Sequence, residues 1–278
     1  MNNIDEAMGL FPLMEDQPNH KDKLAELTDT LPLLALKNIV MFPGVIKPIG
    51  IGRPKSLELI REAYAKGMLI GAITQKSVYI EDPTEKDLYK IGTICKVLKV
   101  IDMPDNTTTA LIQGIDRFKL KDITSVTPYF KGTISKLFEK RVPKKDTVFD
   151  ATILSIKDTS IKIIEISKQV PEEIIIGIKN FKNNRFLINF IASNLDLDIS
   201  AQQNLLEISD LKKRAAKLLD ILGQQIQLAE IKHDIQKKVK MDIDKQQREF
   251  LMQQQIKTLQ KELGNSPIDK EFSELKAK

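Results

Sequence analysis

Few side chains in this 278-residue sequence are of types that do covalent or metal chemistry, and they are not spaced for it. Two histidines, His20 and His233, and one cysteine, Cys95, supply neither a zinc cage nor a thiolate–imidazole pair. His233 reads as a solvated helix residue, and Cys95, inside an apparent strand, as inert packing. Glu172 and Glu173 have the types for general acid–base work. They follow Pro171 at a helix start, however, where the dipole attracts carboxylates in any case. Gly44, Gly50 and Gly52 are followed by Val, Ile and Arg rather than by Lys and a hydroxyl, so they form no phosphate loop. The expectation is a chain with no catalytic, cofactor-binding or metal site of its own.

Two apolar groups suggest contact chemistry instead. The run from Ile39 to Pro48 holds Met41, Phe42, Val45 and Ile46, broken by Pro43, Gly44 and Pro48, so it cannot all be regular strand. An irregular apolar loop of this kind offers side chains on which an unfolded polypeptide can dock. The alternative, that Phe42 and Val45 plug the end of a barrel, stays open. The second group, Met252, Ile256, Leu259 and Leu263, stands at helical spacing near the far end of a long helix. It is expected to meet a neighbouring subunit or a substrate.

The elements behind these groups follow from periodicity. From Ser209 to Leu263 the chain has a single glycine and no proline. This predicts one helix about 80 Å long, capped by Ser209 or Asp210 and stopped at Gly264 before Asn265, Ser266 and Pro267. Leu228, Ile231, Ile235 and Val239 form a first stripe, separated from the second by a charged gap. No domain of this size covers such a helix, so most of it is expected to leave its own core and to be buried by another domain or subunit.

Ahead of it, residues 143–208 read as a helical bundle: one helix over 146–169, one opening at Pro171, one over Arg185 to Leu195, and a short one capped by a Ser200–Gln203 box. Residues 30–142 read as strands at Leu31–Leu36, Met68–Thr74, Gly92–Asp102, Thr107–Gly114, Arg117–Ile123 and Tyr129–Phe138. One helix between Pro54 and Gly67 interrupts them. The fold class is therefore α+β, a small, mostly antiparallel barrel or curled sheet followed by helices.

Composition sets the remaining bounds. No stretch reaches the roughly 18 apolar residues of a membrane span, the start lacks a secretory pattern, and one cysteine agrees with a reducing compartment. Residues 1–29 carry seven acids against two lysines and read as an acidic, disordered tail. The net charge of +5 leaves weak nonspecific attraction to DNA open. The runs Lys212-Lys213-Arg214 and Lys237-Lys238 lie among acids, though, with Asp210/Arg214, Asp234/Lys238 and Asp244/Arg248 at i,i+4 spacing, which reads as a solvated face. A nucleic-acid adaptor and a purely structural oligomerisation arm are the rival readings.

Three stretches carry a family resemblance: LPLLALKNIVMFPGVIKPIGIGRPKSLELIREA, EDPTEKDLYKIGTICKVLKVIDMPDNTTTALIQGIDRFKL and the closing QQREFLMQQQIKTLQKELG. In this order they resemble the amino-terminal part of the Lon family of ATP-dependent serine proteases, from about Leu31 to Gly264. Ala35 departs from the proline common there. The resemblance implies a PUA-like β pseudo-barrel, a helical subdomain, and a long projecting helix over 209–264. Residues 265–278 would begin the linker to an AAA-type ATPase, which uses ATP and Mg, and a Ser-Lys protease domain, all outside this sequence. It further implies a cytoplasmic substrate-recognition module of a homohexamer that takes unfolded or degron-bearing polypeptides. No nucleotide-binding or catalytic motif of the family has a matching position here.

Overall fold

The computed structural model describes residues 29–104, 107–140, 142–143, 145–167 and 172–264; the side chains of 167, 172, 173 and 262–264 are not described. The expected acidic tail to residue 28 and the segment from 265 onward lie outside these residues. The chain divides into two units, residues 1–224 and 225–278, with the division inside one helix.

Strands β1 (Thr30–Leu36), β2 (Ile46–Ile51), β3 (Leu69–Thr74), β4 (Ile91–Asp102), β5 (Thr108–Ser125) and β6 (Lys131–Lys136) make one sheet in the order β2-β5-β4-β3-β1-β6. An additional β5–β6 pairing joins Phe118 to Lys136 and Leu120 to Ile134. Five strands therefore close into a ring, and β2 is appended to the first half of β5. The pairings are antiparallel except β1 with β3, whose parallel register, Leu33 opposite Gly71, requires a crossover. That crossover is β2 followed by helix α1 (Pro54–Lys66). Pro54 opens α1, and Gly67 closes it at φ 62°, the left-handed conformation that glycine adopts without a Cβ penalty. The face of α1 bearing Leu59, Ile60 and Ala63 is buried in the barrel core.

Two strand expectations change. The separate runs 107–114 and 117–123 are one strand, β5, because register shifts at Ile94/Cys95 and Val97/Lys99 let the ladder bend without breaking. β2 begins inside the run read as irregular and continues past it, and Pro48 sits in it opposite Leu111. The position is permitted because β2 is a sheet edge, where a missing N–H costs no ladder bond.

Helices α2 (Thr147–Ser167), α3 (Glu172–Asn180), α4 (Asn184–Asn194) and α5 (Ile199–Glu207) form the bundle. The side-chain oxygen of Asn183 caps α4 by accepting from the Phe186 N–H at 3.1 Å. Phe181, Phe186 and Phe190 meet ring to ring, Phe186 lying 4.8 Å edge-on from Phe181. The Ser200–Gln203 capping box does not form: Asp198 is at the N-cap and Ser200 lies inside α5. Gln203 is buried, and its side-chain NH2 finds its partners inside the protein. It donates to the Ile91 carbonyl at 2.8 Å, tying α5 to the start of β4.

Helix α6 runs Leu211–Gly264, 54 residues. Asp210 caps it, its carboxylate accepting from the N–H groups of Lys212 and Lys213 at 3.0 and 3.2 Å. Leu211, Ala215, Leu218 and Leu222 are buried in the bundle core. Every side chain from Glu230 to Lys261 is exposed.

Candidate functional site

Met41, Phe42, Val45 and Ile46 are all buried, with Phe42 fully so. The expectation that this loop presents an apolar surface is corrected: its side chains face inward, and Phe42 and Val45 enter the helical core rather than plugging a barrel end. Gly44 at φ +85° turns the chain back, its N–H donating to the Gly114 carbonyl at 2.9 Å while the Gly114 N–H donates to Val45. A Cβ on Gly114 would collide with the Phe42 carbonyl oxygen, so only glycine lets loop and strand approach this closely. Val40, Phe42, Val45 and Ile46 pack in the helical core, whereas Met41 packs in the barrel core. The Asn189 side chain on α4 donates to the Pro43 carbonyl at 3.0 Å. Dense apolarity around a Pro-Gly turn marks the joint between barrel and bundle.

A buried charge cluster at that joint was not read from the sequence. Arg117 of β5 and Arg214 of α6 are both fully buried. Arg117 donates to the carbonyls of Leu206 and Ile208 at 2.8 and 3.0 Å, satisfying the open end of α5. Arg214 also donates to Ile208 and reaches the Asn189 amide oxygen at 3.1 Å. Glu139 supplies the countercharge, 3.0 Å from Arg214 and 2.9 Å from Arg185, with Asp116 holding Arg185 from the other side at 2.8 Å. The Glu139 contacts to Arg214 and Arg185 are ionic rather than aligned hydrogen bonds. Burial, with Arg117 alongside, pulls Arg214 down to about 10, still protonated at neutral pH. Of the run read as a solvated face, Lys212 and Lys213 are exposed and Arg214 is not. The expected Asp210/Arg214 pair is absent because Asp210 is committed to capping and to Lys140 at 3.6 Å.

Among the described residues, two surfaces are candidates for contact. The first is a cleft of about 440 Å³ on the barrel, within the usual size range of ligand pockets. Leu33, Ala35, Ile123, Val126 and Phe130 give it an apolar lining; Arg53, Lys55, Asp82 and Glu85 supply the charges. Arg53 is held by the Gln75 side-chain oxygen at 2.5 Å and the Ala35 carbonyl at 3.4 Å. Tyr129 donates to Glu62 at 2.7 Å, and burial followed by that bond pushes its phenol up to about 12. Such a lining suits an apolar side chain on a flexible partner; it contains no nucleophile–base pair.

The second surface is on α6. Met252, Ile256 and Leu259 are half exposed, at 54%, 50% and 57%; the Leu263 side chain lies outside the described residues. Phe250 and Leu251, which the stripe reading passed over, are equally exposed. Cys95 is buried in β4, and no metal-ligand cluster occurs among the described residues.

Comparison with known proteins gives a consistent result. Residues 30–224 match the family model described as the ATP-dependent protease La (LON) substrate-binding domain. The chain is 40% identical over 272 residues to a Lon protease of Flavobacterium johnsoniae, covering 98% of this chain and 33% of that protein. It is 42% identical over 276 residues to one of Parabacteroides distasonis, covering 99% and 34%. It thus spans about a third of the length of these curated relatives. The N-terminal domain of Mycobacterium avium complex Lon protease superposes with a TM-score of 0.56 at 16% identity, over 70% of this chain and 98% of that one. A Lon N-terminal domain protein from Xanthomonas campestris gives 0.51, also at 16% identity and over the same shares.

Proposed function

The chain belongs to the Lon substrate-binding domain family, and on that premise we propose that it is the polypeptide-recognising front end of an ATP-dependent serine protease. The observation that carries this reading is the family match over the barrel and bundle, together with an apolar cleft on the barrel itself. The cleft engages apolar side chains of misfolded or degron-bearing polypeptides, while Arg53 and Lys55 attract acids beside them. Exposed Met252, Ile256 and Leu259 serve neighbouring subunits or the incoming polypeptide. Hydrolysis, by a Ser-Lys dyad, and unfolding, by an AAA-type ATPase with ATP and Mg, belong to the remainder of a cytoplasmic homohexamer. No helix among the described residues is long and apolar enough to cross a membrane. Attraction to DNA through exposed Lys237 and Lys238 is a weak side property.

Val126 is 52% exposed on the cleft wall, so Val126→Asp leaves the core untouched. Binding of a reduced, alkylated unfolded protein, followed by fluorescence anisotropy, weakens about tenfold in this variant, the loss of one buried aliphatic side chain. Unchanged binding removes the cleft from the proposal.

A further inference from the structure

Strand β1 leaves one edge uncovered for half its length. Its other edge is paired with β3 along residues 33–36. On the open side β6 pairs only with Thr30, Leu31 and Pro32, and the contact ends at one further bond, from the Leu33 N–H to the Phe130 carbonyl at 2.7 Å. Successive residues of a strand send their main-chain groups to opposite neighbours. The Leu36 carbonyl accepts from the Gln75 N–H just past β3, so Leu34 and Leu36 serve β3, while Leu33 and Ala35 serve the open side. In keeping with that alternation, the Ala35 carbonyl accepts from Arg53 rather than from β3. The Ala35 N–H therefore points where no strand of the sheet meets it.

The same edge lines a groove. Leu33 and Ala35 belong to the 440 Å³ cleft. Residues 34–37 line a neighbouring hollow of about 310 Å³, together with residues 49–52 at the end of β2. Ala35, Arg53 and Ser56 are common to both, which makes one continuous surface of them. β2 does not close the opening: it pairs with β5 alone, and Pro48 takes a donor off its free edge. A sheet edge of this kind, lacking a proline or a bulge, is a template for another extended chain.

We propose that the edge at Leu33 and Ala35 pairs with an extended stretch of the captured polypeptide, added as a strand beside β1 where β6 has left it. Resting on the cleft as the polypeptide-binding surface, this pairing sets what is captured: main chain free of its own partners, with apolar side chains at alternate positions to reach the cleft lining. Bonds to the Ala35 N–H and carbonyl are indifferent to sequence, and a folded protein has no such strand to offer. The Arg53 bond to the Ala35 carbonyl is long, at 3.4 Å, and gives way to an incoming N–H.

The test follows hydrogen exchange at the Ala35 amide in the 278-residue chain, with and without a saturating soluble peptide that carries leucine at alternate positions. Without peptide, Ala35 exchanges faster than Leu34 and Leu36, which are bonded to β3. Bound peptide slows Ala35 by at least about tenfold, the effect of one new hydrogen bond. The same peptide with N-methylated backbone amides binds at least about tenfold more weakly, and so does the native peptide to Ala35→Pro, which deletes the edge donor. Pro32 already sits in β1, and the exchange measurement needs no substitution, so it decides even if this variant loses stability. Unchanged Ala35 exchange with peptide bound overturns the edge pairing; if Val126→Asp weakens that binding, the cleft reading stands. Protection of Ala35 in a complex indifferent to Val126→Asp supports the edge and removes the cleft wall from the recognition reading. A peptide that does not bind at all overturns both.

Discussion

Arg214, in the first turn of α6, lies 3.0 Å from Glu139, in the segment that leaves β6. Both are inside the barrel–bundle joint, Arg214 fully buried and the Glu139 side chain 14% exposed. One carboxylate thereby fixes the root of the long helix to the strand system. Its other contacts, with Arg185 and at 3.8 Å with Arg117, make it the shared counterion of three guanidinium groups.

Glu139→Gln leaves buried Arg117 and Arg214 without their countercharge. Stability falls by about 3–5 kcal/mol, the usual cost of stranding a buried ion. Urea unfolding followed by circular dichroism checks it, with Arg61→Ala as the control. Arg61 forms an exposed, solvent-screened ion pair with Asp102, so its loss barely moves the midpoint.

Gly114→Ala drives a methyl into the Phe42 carbonyl oxygen, a backbone atom that cannot swing aside. The expected loss is about 3 kcal/mol. Gly50→Ala has open space around its Cβ and sits on the same β2–β5 ladder, so it stays within about 0.5 kcal/mol. Equal melting temperatures for the two variants would contradict the close approach.

Phe42→Ala removes a fully buried ring and costs about 3–5 kcal/mol. Any loss of polypeptide binding in this variant tracks its unfolded fraction and disappears when measurements are made well below its midpoint.

Asp210 has its carboxyl held below the usual range, first by the Lys213 N–H that it caps. A depressed folded-state value means stability that is present above the unfolded value near 4 and lost as pH falls through the folded one. Asp210→Asn keeps a capping oxygen, so stability at pH 7 changes little while the acid limb of the melting-temperature profile flattens. An unchanged acid limb would show that the cap does not titrate.

Cys95 has no exposed surface, and burial pushes its thiol far up. Native protein leaves it unlabelled by a maleimide at pH 8, and labelling appears only along the unfolding transition.

Features with local causes were legible in the sequence. Pro54 and Gly67 bound α1, and Asp210 caps α6. A barrel was expected, but the strands that close it were not identified, because the pairing of Leu120 with Ile134 and of Thr30 with Thr133 leaves no mark in either strand alone. Nor does spacing distinguish Arg214 from Lys213 beside it; only the position of Glu139 does. The Met41–Ile46 loop was singled out for the right reason, its apolar density, but that density faces inward because Gly44 and Gly114 draw it against β5. The cleft escaped notice since Leu33, Arg53, Ile123 and Phe130 come from widely separated parts of the chain.

Ring closure has a temporal side. The first strand cannot find its last partner until residues 131–133 exist, roughly a hundred positions later, and the joint waits further for Arg214. During synthesis the growing polypeptide therefore carries β1 without its last partner until β6 has left the ribosome, and an open joint until the start of α6 has followed, a vulnerable interval that topology, not composition, imposes.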